Sequence, residues 1–224
     1  MHARERIPTP RREPWLARGI DVALATALLL PAAPVLLLAA LLLRASGGPV
    51  LFAQRRLGRG GVPFTLHKLR TLSTTAGEPV APAGDPRVTR LGRGLRRWRL
   101  DELPQLVDVL RGRMALVGPR PEVPANLTAV PAADLARVLA VRPGITGPTQ
   151  LRFLAEDEVL AEVAEPARVY REVLMPAKVR EDLAWLGRRT LRGDLAVLLR
   201  TPFVLASRRA RARSRARVRA LLGG

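Results

Sequence analysis

The chain has 224 residues, enough for one domain with a sizeable core, or for one domain and a membrane anchor. Its 38 basic residues give a net charge of +19, so an anionic partner is expected; only Lys68 and Lys178 are lysines. The absence of cysteine and the presence of only two histidines exclude disulfides, thiolate metal sites and most histidine-based catalysis. Aromatic residues make up 4% of the chain, too few for a surface that stacks single-stranded nucleic acid.

An apolar run without any charged residue covers residues 22–43. As a helix it is long enough to cross a bilayer, which takes about 20 residues. Pro31 and Pro34 interrupt the run, and arginines flank it on both sides, so neither flank is favoured for export. A helix that enters the membrane, bends at proline and returns to the same face resolves this conflict. A single-pass helix and a signal peptide are the alternatives, and the length and the prolines disfavour the signal peptide.

Beyond this run the pattern predicts a mostly helical chain. Residues 49–54 and 62–72 are typical of two strands joined by a glycine-rich turn, and therefore of a β-hairpin, and a Gly/Pro-rich loop follows at 73–86. Helical spacing predicts helices over residues 87–98, from 101 to 110, and over 132–141, 156–170 and 176–186.

The last segment, residues 207–224, carries seven arginines and no acid. It is either a solvated, disordered end or a segment that adheres to anionic lipid. Because the same chain holds an apolar anchor, we favour the lipid interpretation.

A stretch rich in arginine runs directly into two adjacent acids, Asp101 and Glu102. Phosphate chemistry needs cations that hold the phosphates and a carboxylate that binds metal or attacks. One acid can hold Mg²⁺, a hard cation that prefers oxygen, and the other can attack phosphorus and carry a covalent intermediate. Acids in the first turn of a helix are also common caps, so the spacing alone leaves both interpretations open.

Several long motifs resemble those of a known family. They read RLDELPQLVDVLRG at 99–112, MALVGPRPE at 114–122, GPVLFAQRRLG at 48–58, FTLHKLRT at 64–71, DPRVTRLG at 85–92 and VRPGITG at 141–147. Over residues 18–201 the chain resembles the bacterial sugar transferases, the monotopic phosphoglycosyl transferases that begin lipid-linked glycan assembly. It looks like their small form, without the multi-pass N-terminal region of some relatives.

The resemblance implies a mainly α fold with a small β-hairpin. A basic N-terminal segment (residues 1–13) would precede a re-entrant membrane helix (14–46) that bends at Pro34. A compact cytoplasmic catalytic domain with interfacial amphipathic helices (47–206) and the arginine-rich tail (207–224) would follow. The serine common before the bending proline is Ala33 here, so no side-chain hydroxyl is available at that position.

The resemblance also implies roles for individual residues. Asp101 would be the nucleophile and Glu102 the ligand of Mg²⁺. Substrate and phosphate binding would fall to Lys68, Arg96, Arg120, Arg142, Asp182 and Asp194. The chain departs from the family at Arg113, where an acid is common, at residues 147–150, which read Gly-Pro-Thr-Gln instead of Gly-Trp-Ala-Gln, and at His67, where an aromatic is common.

The implied reaction moves a sugar 1-phosphate from a UDP-sugar to a polyprenyl (undecaprenyl) phosphate and releases UMP at the cytoplasmic face of the membrane. The expected partners are these two substrates and anionic lipids, with no nucleic acid, and a homodimer is compatible with the sequence. Two alternatives remain: a membrane-tethered basic protein that binds nucleic acid, for which no binding motif is present, and an inactive scaffold for glycan assembly. The intact Asp101, Glu102 and Lys68 count against the scaffold.

Overall fold

The computed structural model describes residues 15–73 and 82–223 of the chain. The predicted basic segment, residues 1–13, lies outside the described residues, as does most of the loop predicted over residues 73–86. Within the described ranges the fold is mainly helical, with one long apolar helix at its start and two small sheets.

Helix α1 (Trp15–Ala45) contains the whole apolar run, with Pro31 and Pro34 inside it. Many of its large apolar side chains are exposed, including Leu30 and Leu37. Within the described part of the chain it is the one helix that is long and apolar enough to cross a membrane. A long run of uncovered leucine side chains is the surface that a bilayer would cover.

Both ends of α1 are fastened to the rest of the molecule. Near its start, Arg18 Nη1 donates to the carbonyl of Val109 (2.7 Å), and a carboxylate oxygen of Asp21 accepts from the backbone of Leu116 (3.1 Å). Near its end, Arg70 Nη2 donates to the carbonyl of Leu43 (3.0 Å). The helix is therefore held by the rest of the chain at both ends.

The predicted hairpin is confirmed. Strands β1 (Leu51–Leu57) and β2 (Pro63–Leu69) pair antiparallel, and Phe52 lies opposite Lys68. The connecting turn needs left-handed backbone at Gly60 (φ 68°), which glycine adopts without a steric penalty. Because side chains alternate along a strand, the register fixes the face on which Lys68 lies.

Two short helices and a tight turn carry the acidic pair. Helix α2 (Arg90–Arg97) ends before a 3₁₀ turn at Leu100–Glu102, and helix α3 (Gln105–Leu110) follows. The helix predicted from residue 101 therefore begins later, after Pro104, which has no backbone N–H to donate. The acids lie in the turn between the two helices.

A second sheet was not predicted from the sequence. Strands β3 (Ala115–Val117) and β4 (Gly144–Thr146) pair in parallel. The pair passes so close to the neighbouring turn that a Cβ on Gly144 would lie 2.0 Å from the backbone nitrogen of Gly118, so only glycine fits there. This sheet supports the turn that follows β3, residues 118–121.

The second half of the domain is built from short helices. Their bounds are α4 (Ala132–Val138), α5 (Pro148–Arg152), α6 (Glu156–Leu160), α7 (Pro166–Val169), α8 (Met175–Leu186) and α9 (Leu191–Ala206), with a 3₁₀ turn at Pro124–Leu127 and a π-helical turn at Tyr170–Leu174. The single helix predicted over residues 156–170 is wrong, because the chain forms two helices there. Pro166 cannot continue a helix, since its ring clashes with the preceding turn, and it begins α7 instead.

The arginine-rich segment forms helix α10 (Arg208–Leu222), so its interpretation as a disordered end is wrong. Alanine and arginine both favour helix. One face is buried: Val218 is fully enclosed, and Ser214 Oγ accepts from the backbone of Ala155 (3.0 Å). Four of its arginines form ion pairs with Glu158, Glu162 and Glu181.

In the part of the chain that the structure describes, three clusters of buried apolar side chains form the core. The largest joins α4, α6, α8 and α10 around Leu174 and Val218. The second packs Ala25 of α1 against α3 and β3, and the third packs Leu43 of α1 against β2 and α2 through Leu95. Because α1 contributes to two of the three clusters, it is part of the domain's own packing.

Candidate active site

The acidic pair lies where three separate elements converge. The 3₁₀ turn carries Asp101 and Glu102, the end of β2 carries Lys68, and the turn after β3 carries Arg120. Both carboxylates are buried, with 6% of Asp101 and 4% of Glu102 exposed. Buried carboxylates that stay ionised need paired cations, and the two neighbouring elements supply them.

Glu102 is enclosed by positive charge. Its Oε1 atom lies 2.8 Å from Lys68 Nζ and 2.7 Å from Arg120 Nη2, and Arg99 Nη1 lies at 3.6 Å. Burial by itself would raise the pKa of Glu102, but Arg120 and then Lys68 outweigh it and hold that pKa well below its ordinary value. Glu102 is therefore an anion over the whole physiological pH range.

The pKa of Asp101 is shifted in the opposite direction. Its Oδ1 atom is buried and has no hydrogen-bond partner among the described residues. Burial raises the pKa of Asp101, and the negative charge of Glu102 raises it further. Two adjacent carboxylates thus have pKa values that are shifted in opposite directions, which is the arrangement that assigns them different chemical roles.

Lys68 is a perturbed base in the same cluster. Burial lowers its pKa to about 8, and the attraction of Glu102 only partly offsets this effect. The ammonium group is therefore charged at neutral pH but close to its titration range.

A cleft of about 910 Å³ opens beside the acids. Asp101, Glu102, Lys68 and Arg120 line it, and further arginines from α2 and α10 line its walls, among them Arg93, Arg96, Arg97, Arg208 and Arg211. The guanidinium of Arg96 donates from Nε to the hydroxyl of Thr71 (3.0 Å). A cleft of this size with cationic walls around a buried acid pair is suited to a substrate that carries several phosphates.

Of the residues that the sequence assigns to the site, the structure brings five together: Lys68, Arg96, Asp101, Glu102 and Arg120. Three others do not line this cleft, and Pro34 lies within α1. Arg142 Nε donates to the carbonyl of Gly112 (2.9 Å), and Asp194 accepts from Arg189 Nε (2.9 Å) at the start of α9.

Asp182 borders a separate cavity of about 30 Å³, which Arg120 also lines. Burial raises its pKa to about 6, although a hydrogen bond with Thr149 opposes the shift. It lies behind the Arg120 turn, where it faces that small cavity.

A second buried network adjoins the site and was missed by the sequence analysis. Tyr170 Oη donates to Glu122 (2.8 Å) and accepts from Lys178 Nζ (3.1 Å), while Lys178 also contacts both oxygens of Glu156 (2.9 Å each). Arg56 Nη1 donates to Glu122 as well (3.1 Å). Signals were available: Tyr170 is the single tyrosine, Lys178 is one of two lysines, and Glu122 ends the Pro-Arg-Pro-Glu motif.

The network holds the Arg120 turn in place. Arg120 lies between Glu102 on one side and Glu122 on the other. Burial alone would lower the pKa of Arg120, but the negative charges of Glu102 and Glu122 outweigh it and raise that pKa. Tyr170 begins a π-helical turn, a feature often found at functional sites. Glu122 and its partners therefore set the position from which Arg120 reaches the acid pair.

Comparison with known proteins gives a consistent result. A family model described as Bacterial sugar transferase matches residues 12–208. The UDP-glucose:undecaprenyl-phosphate glucose-1-phosphate transferase of Caulobacter vibrioides is 43% identical over 190 residues, which are 82% of this chain and 67% of that protein. The protein of that name from Escherichia coli is 35% identical over 195 residues, 84% of this chain and 39% of the relative.

A third relative is similar in length to this chain. The Exopolysaccharide production protein PSS of Rhizobium leguminosarum is 34% identical over 196 residues, which are 83% of this chain and 92% of that protein. The chain thus spans nearly all of one relative, about two thirds of another and less than half of the third. Because the family model matches most of the sequence, the chain belongs to the bacterial sugar transferase family.

Proposed function

We propose that the protein transfers a sugar 1-phosphate from a UDP-sugar to undecaprenyl phosphate, with release of UMP, and so begins the assembly of a lipid-linked glycan. The observation that carries the proposal is the buried acid pair, whose Glu102 is held by Lys68 and Arg120 at the side of a cationic cleft. The relatives from C. vibrioides and E. coli are named for this reaction with UDP-glucose.

In the first step, a carboxylate oxygen of Asp101 attacks the phosphorus that bears the sugar. The bond from that phosphorus to the bridging oxygen breaks, UMP leaves, and a phosphosugar ester of Asp101 remains. The orphaned Oδ1 of Asp101 supports this role, because no protein group in the described residues competes for it. Its raised pKa makes the carboxylate a better nucleophile than an ordinary aspartate once it is ionised.

In the second step, an oxygen of the polyprenyl phosphate attacks the same phosphorus, and the bond to Asp101 breaks. The products are a polyprenyl diphosphate sugar and the free aspartate, so Asp101 is regenerated. Lys68 and Arg120 reduce the negative charge around the phosphorus in both steps.

Mg²⁺ fits this set of donors. Among the described residues no group of three acids or histidines forms a complete metal site, but Mg²⁺ often binds one or two carboxylates plus substrate phosphates. Lys68 and Arg120 both contact Oε1 of Glu102 closely, whereas among residues 15–73 and 82–223 Oε2 has only the 3.5 Å contact with Arg120, so Oε2 is the more open ligand. The metal would offset charge on the diphosphate.

A re-entrant α1 is part of the same proposal. Drawn straight, a helix of 31 residues is about 46 Å long, longer than the hydrocarbon core of about 30 Å. Arg18 near one end and Leu43 near the other both bond to the same domain. A domain on one side of the membrane can hold both ends only if the helix turns back, and Pro31 and Pro34 lie at its middle, where a bend would be needed.

Helix α9 supplies a surface that would lie on the membrane. Its exposed face carries Leu195, Leu199 and Phe203, spaced four residues apart so that they form one stripe. An amphipathic helix of this kind binds at the lipid interface, which would bring the cleft to the membrane surface and its lipid substrate.

The direct test is Asp101→Asn in purified membranes supplied with UDP-glucose and undecaprenyl phosphate. We expect both UMP release and lipid-linked product to disappear. A thermal unfolding transition in detergent like that of the wild type should show that the variant is still folded. Wild-type rates in this variant would rule the mechanism out, and a wild-type protein inactive with a panel of UDP-sugars would rule out the function.

A further inference from the structure

Arg99 has an unusual backbone conformation directly before the acid pair. Within residues 15–73 and 82–223 it is the only residue other than glycine with a positive φ (φ 56°, ψ 22°). Left-handed backbone crowds the Cβ of an L-residue, so glycine or asparagine ordinarily occupies such a position. The chain thus holds a long cationic side chain where a smaller residue would fit with less strain.

This conformation joins two elements of the site. The backbone N–H of Arg99 donates to the carbonyl of Arg96 (3.1 Å), and its own carbonyl accepts from the N–H of Glu102 (3.1 Å). Arg99 therefore lies just past the end of α2, at Arg97, and starts the turn that carries both acids. A strained residue at such a joint is retained only where its surroundings or its side chain compensate for the strain.

The side chain of Arg99 is only loosely held. Its closest charged contact is 3.6 Å, from Nη1 to Glu102 Oε1, beyond good hydrogen-bond distance, and its side chain makes no hydrogen bond to a described residue. It is 39% exposed, whereas Lys68 and Arg120, which contact the same oxygen closely, are 17% and 21% exposed. It also lines the cleft.

Neutralisation of Glu102 does not explain this residue. Lys68 and Arg120 already contact Glu102 at 2.8 and 2.7 Å, so that carboxylate has two close cations without Arg99. The five N–H groups of a guanidinium form a rigid fork that fits two oxygens of one phosphate. Arg99 presents this fork into the cleft next to the proposed nucleophile.

We propose that Arg99 binds the phosphoryl group during its transfer, with its guanidinium donating to non-bridging oxygens while Asp101 is attached to the phosphorus. This inference rests on the proposed function. The charge of a phosphoryl transition state lies on those oxygens, so a cation at this place lowers the barrier without taking part in bond making.

Four variants separate the side chain from the backbone. Arg99→Gly and Arg99→Asn both suit left-handed backbone and remove the charge, Arg99→Lys keeps a charge without the fork, and Arg137→Gln removes an arginine from an exposed pair with Asp134. We expect Gly and Asn to unfold at the same or a higher temperature than the wild type. Their rate of UMP release should fall on the order of 100-fold, chiefly in kcat. Lys should be intermediate, and Arg137→Gln should match the wild type.

Chemical rescue gives a readout that a structural role would not move. Guanidinium chloride at non-denaturing concentration should restore part of the UMP release of Arg99→Gly, and should restore none to Asp101→Asn. Wild-type rates in Arg99→Asn would overturn the proposal, because an uncharged residue that accepts the left-handed backbone would then be sufficient for full activity. Loss of activity in Arg99→Gly without any rescue would also overturn it. A wild-type protein without UDP-sugar turnover would instead count against the proposed function itself.

Discussion

Lys68 and Arg120 donate to the same oxygen, Oε1 of Glu102, at 2.8 and 2.7 Å, from elements separated by about 50 residues of chain. Lys68 is carried by the hairpin and Arg120 by the turn after the parallel pair, so the oxygen ties two sheets together. The same contact holds a lysine whose burial lowers its pKa to about 8. Oε1 of Glu102 therefore both joins the two sheets and contacts the lysine with the lowered pKa. The two effects can be tested by separate experiments.

The pH dependence of activity tests Lys68. Its ammonium is charged below a pH of about 8 and is lost as the pH rises through that value, so the rate of UMP release should fall over that range. In Lys68→Arg the cation does not titrate below pH 12, so this alkaline limb should disappear, whatever the absolute rate. Initial rates from pH 6 to 10 measure it. An unchanged limb in Lys68→Arg would assign the titration to another group.

The stability of the fold tests the charge balance at Glu102. Glu102→Gln removes the anion that Lys68 and Arg120 contact, and it should reduce the free energy of unfolding by roughly 3 kcal/mol. This loss is at the low end of the values for breaking a buried ion pair, because both cations reach the cleft. The double variant Glu102→Gln/Lys68→Met should recover part of this loss. Denaturant unfolding in detergent measures both. If Glu102→Gln were as stable as the wild type, the cations would have other partners.

Helix α10 can be tested for packing by a pair of matched substitutions. Val218 is fully buried, whereas Ala216 on the same helix is exposed. Val218→Asp should lower the free energy of unfolding by roughly 3 kcal/mol or more, because it buries a charge with no partner. Ala216→Asp should leave it within about 0.5 kcal/mol. Equal effects of the two would mean that α10 does not pack on the domain in solution.

Single cysteines can test the topology of α1, since the chain has none of its own. We expect cysteines at Thr9 and Ser73 to react with an impermeant maleimide from the same side of the membrane. A third at Ala216 marks the side of the catalytic domain and should agree with both. Labelling of Thr9→Cys from the opposite side would establish a single pass across the bilayer.

Ordered motifs made the acid pair predictable, because the Asp-Glu dipeptide and the Pro-Arg-Pro turn stand in long, specific runs. The hairpin was predictable for a local reason, since its strands are separated by a glycine turn. The parallel pair was not, because β3 and β4 have only three residues each, which is too short for a strand pattern to be recognised in the sequence. The alanine and arginine of α10 favour helix, but its docking could not be read from them, because Ser214 bonds to Ala155, 59 residues away.

Other parts of the site depended on tertiary contacts that no local pattern carries. In the network of Glu122, Tyr170 and Lys178, the hydrogen bond from Tyr170 to Glu122 joins residues 48 positions apart. The left-handed backbone conformation of Arg99 could not be predicted either, because an arginine in the sequence does not indicate that conformation. Arg142 and Asp194 show the converse: a motif position identifies the residue, but only the fold shows that Arg142 bonds to Gly112 and Asp194 to Arg189, away from the cleft.

The packing of α1 into two of the three core clusters has a practical consequence for protein production. Truncation before residue 47 would remove Ala25 and Leu43 from their clusters and uncover the apolar faces of α3, β3 and α2. A water-soluble enzyme fragment cannot be prepared by cutting off the anchor, since the cut surface would aggregate. Purification therefore requires detergent or nanodiscs around the intact chain. Helix α1 is a structural part of the enzyme's core and not only its attachment to the membrane.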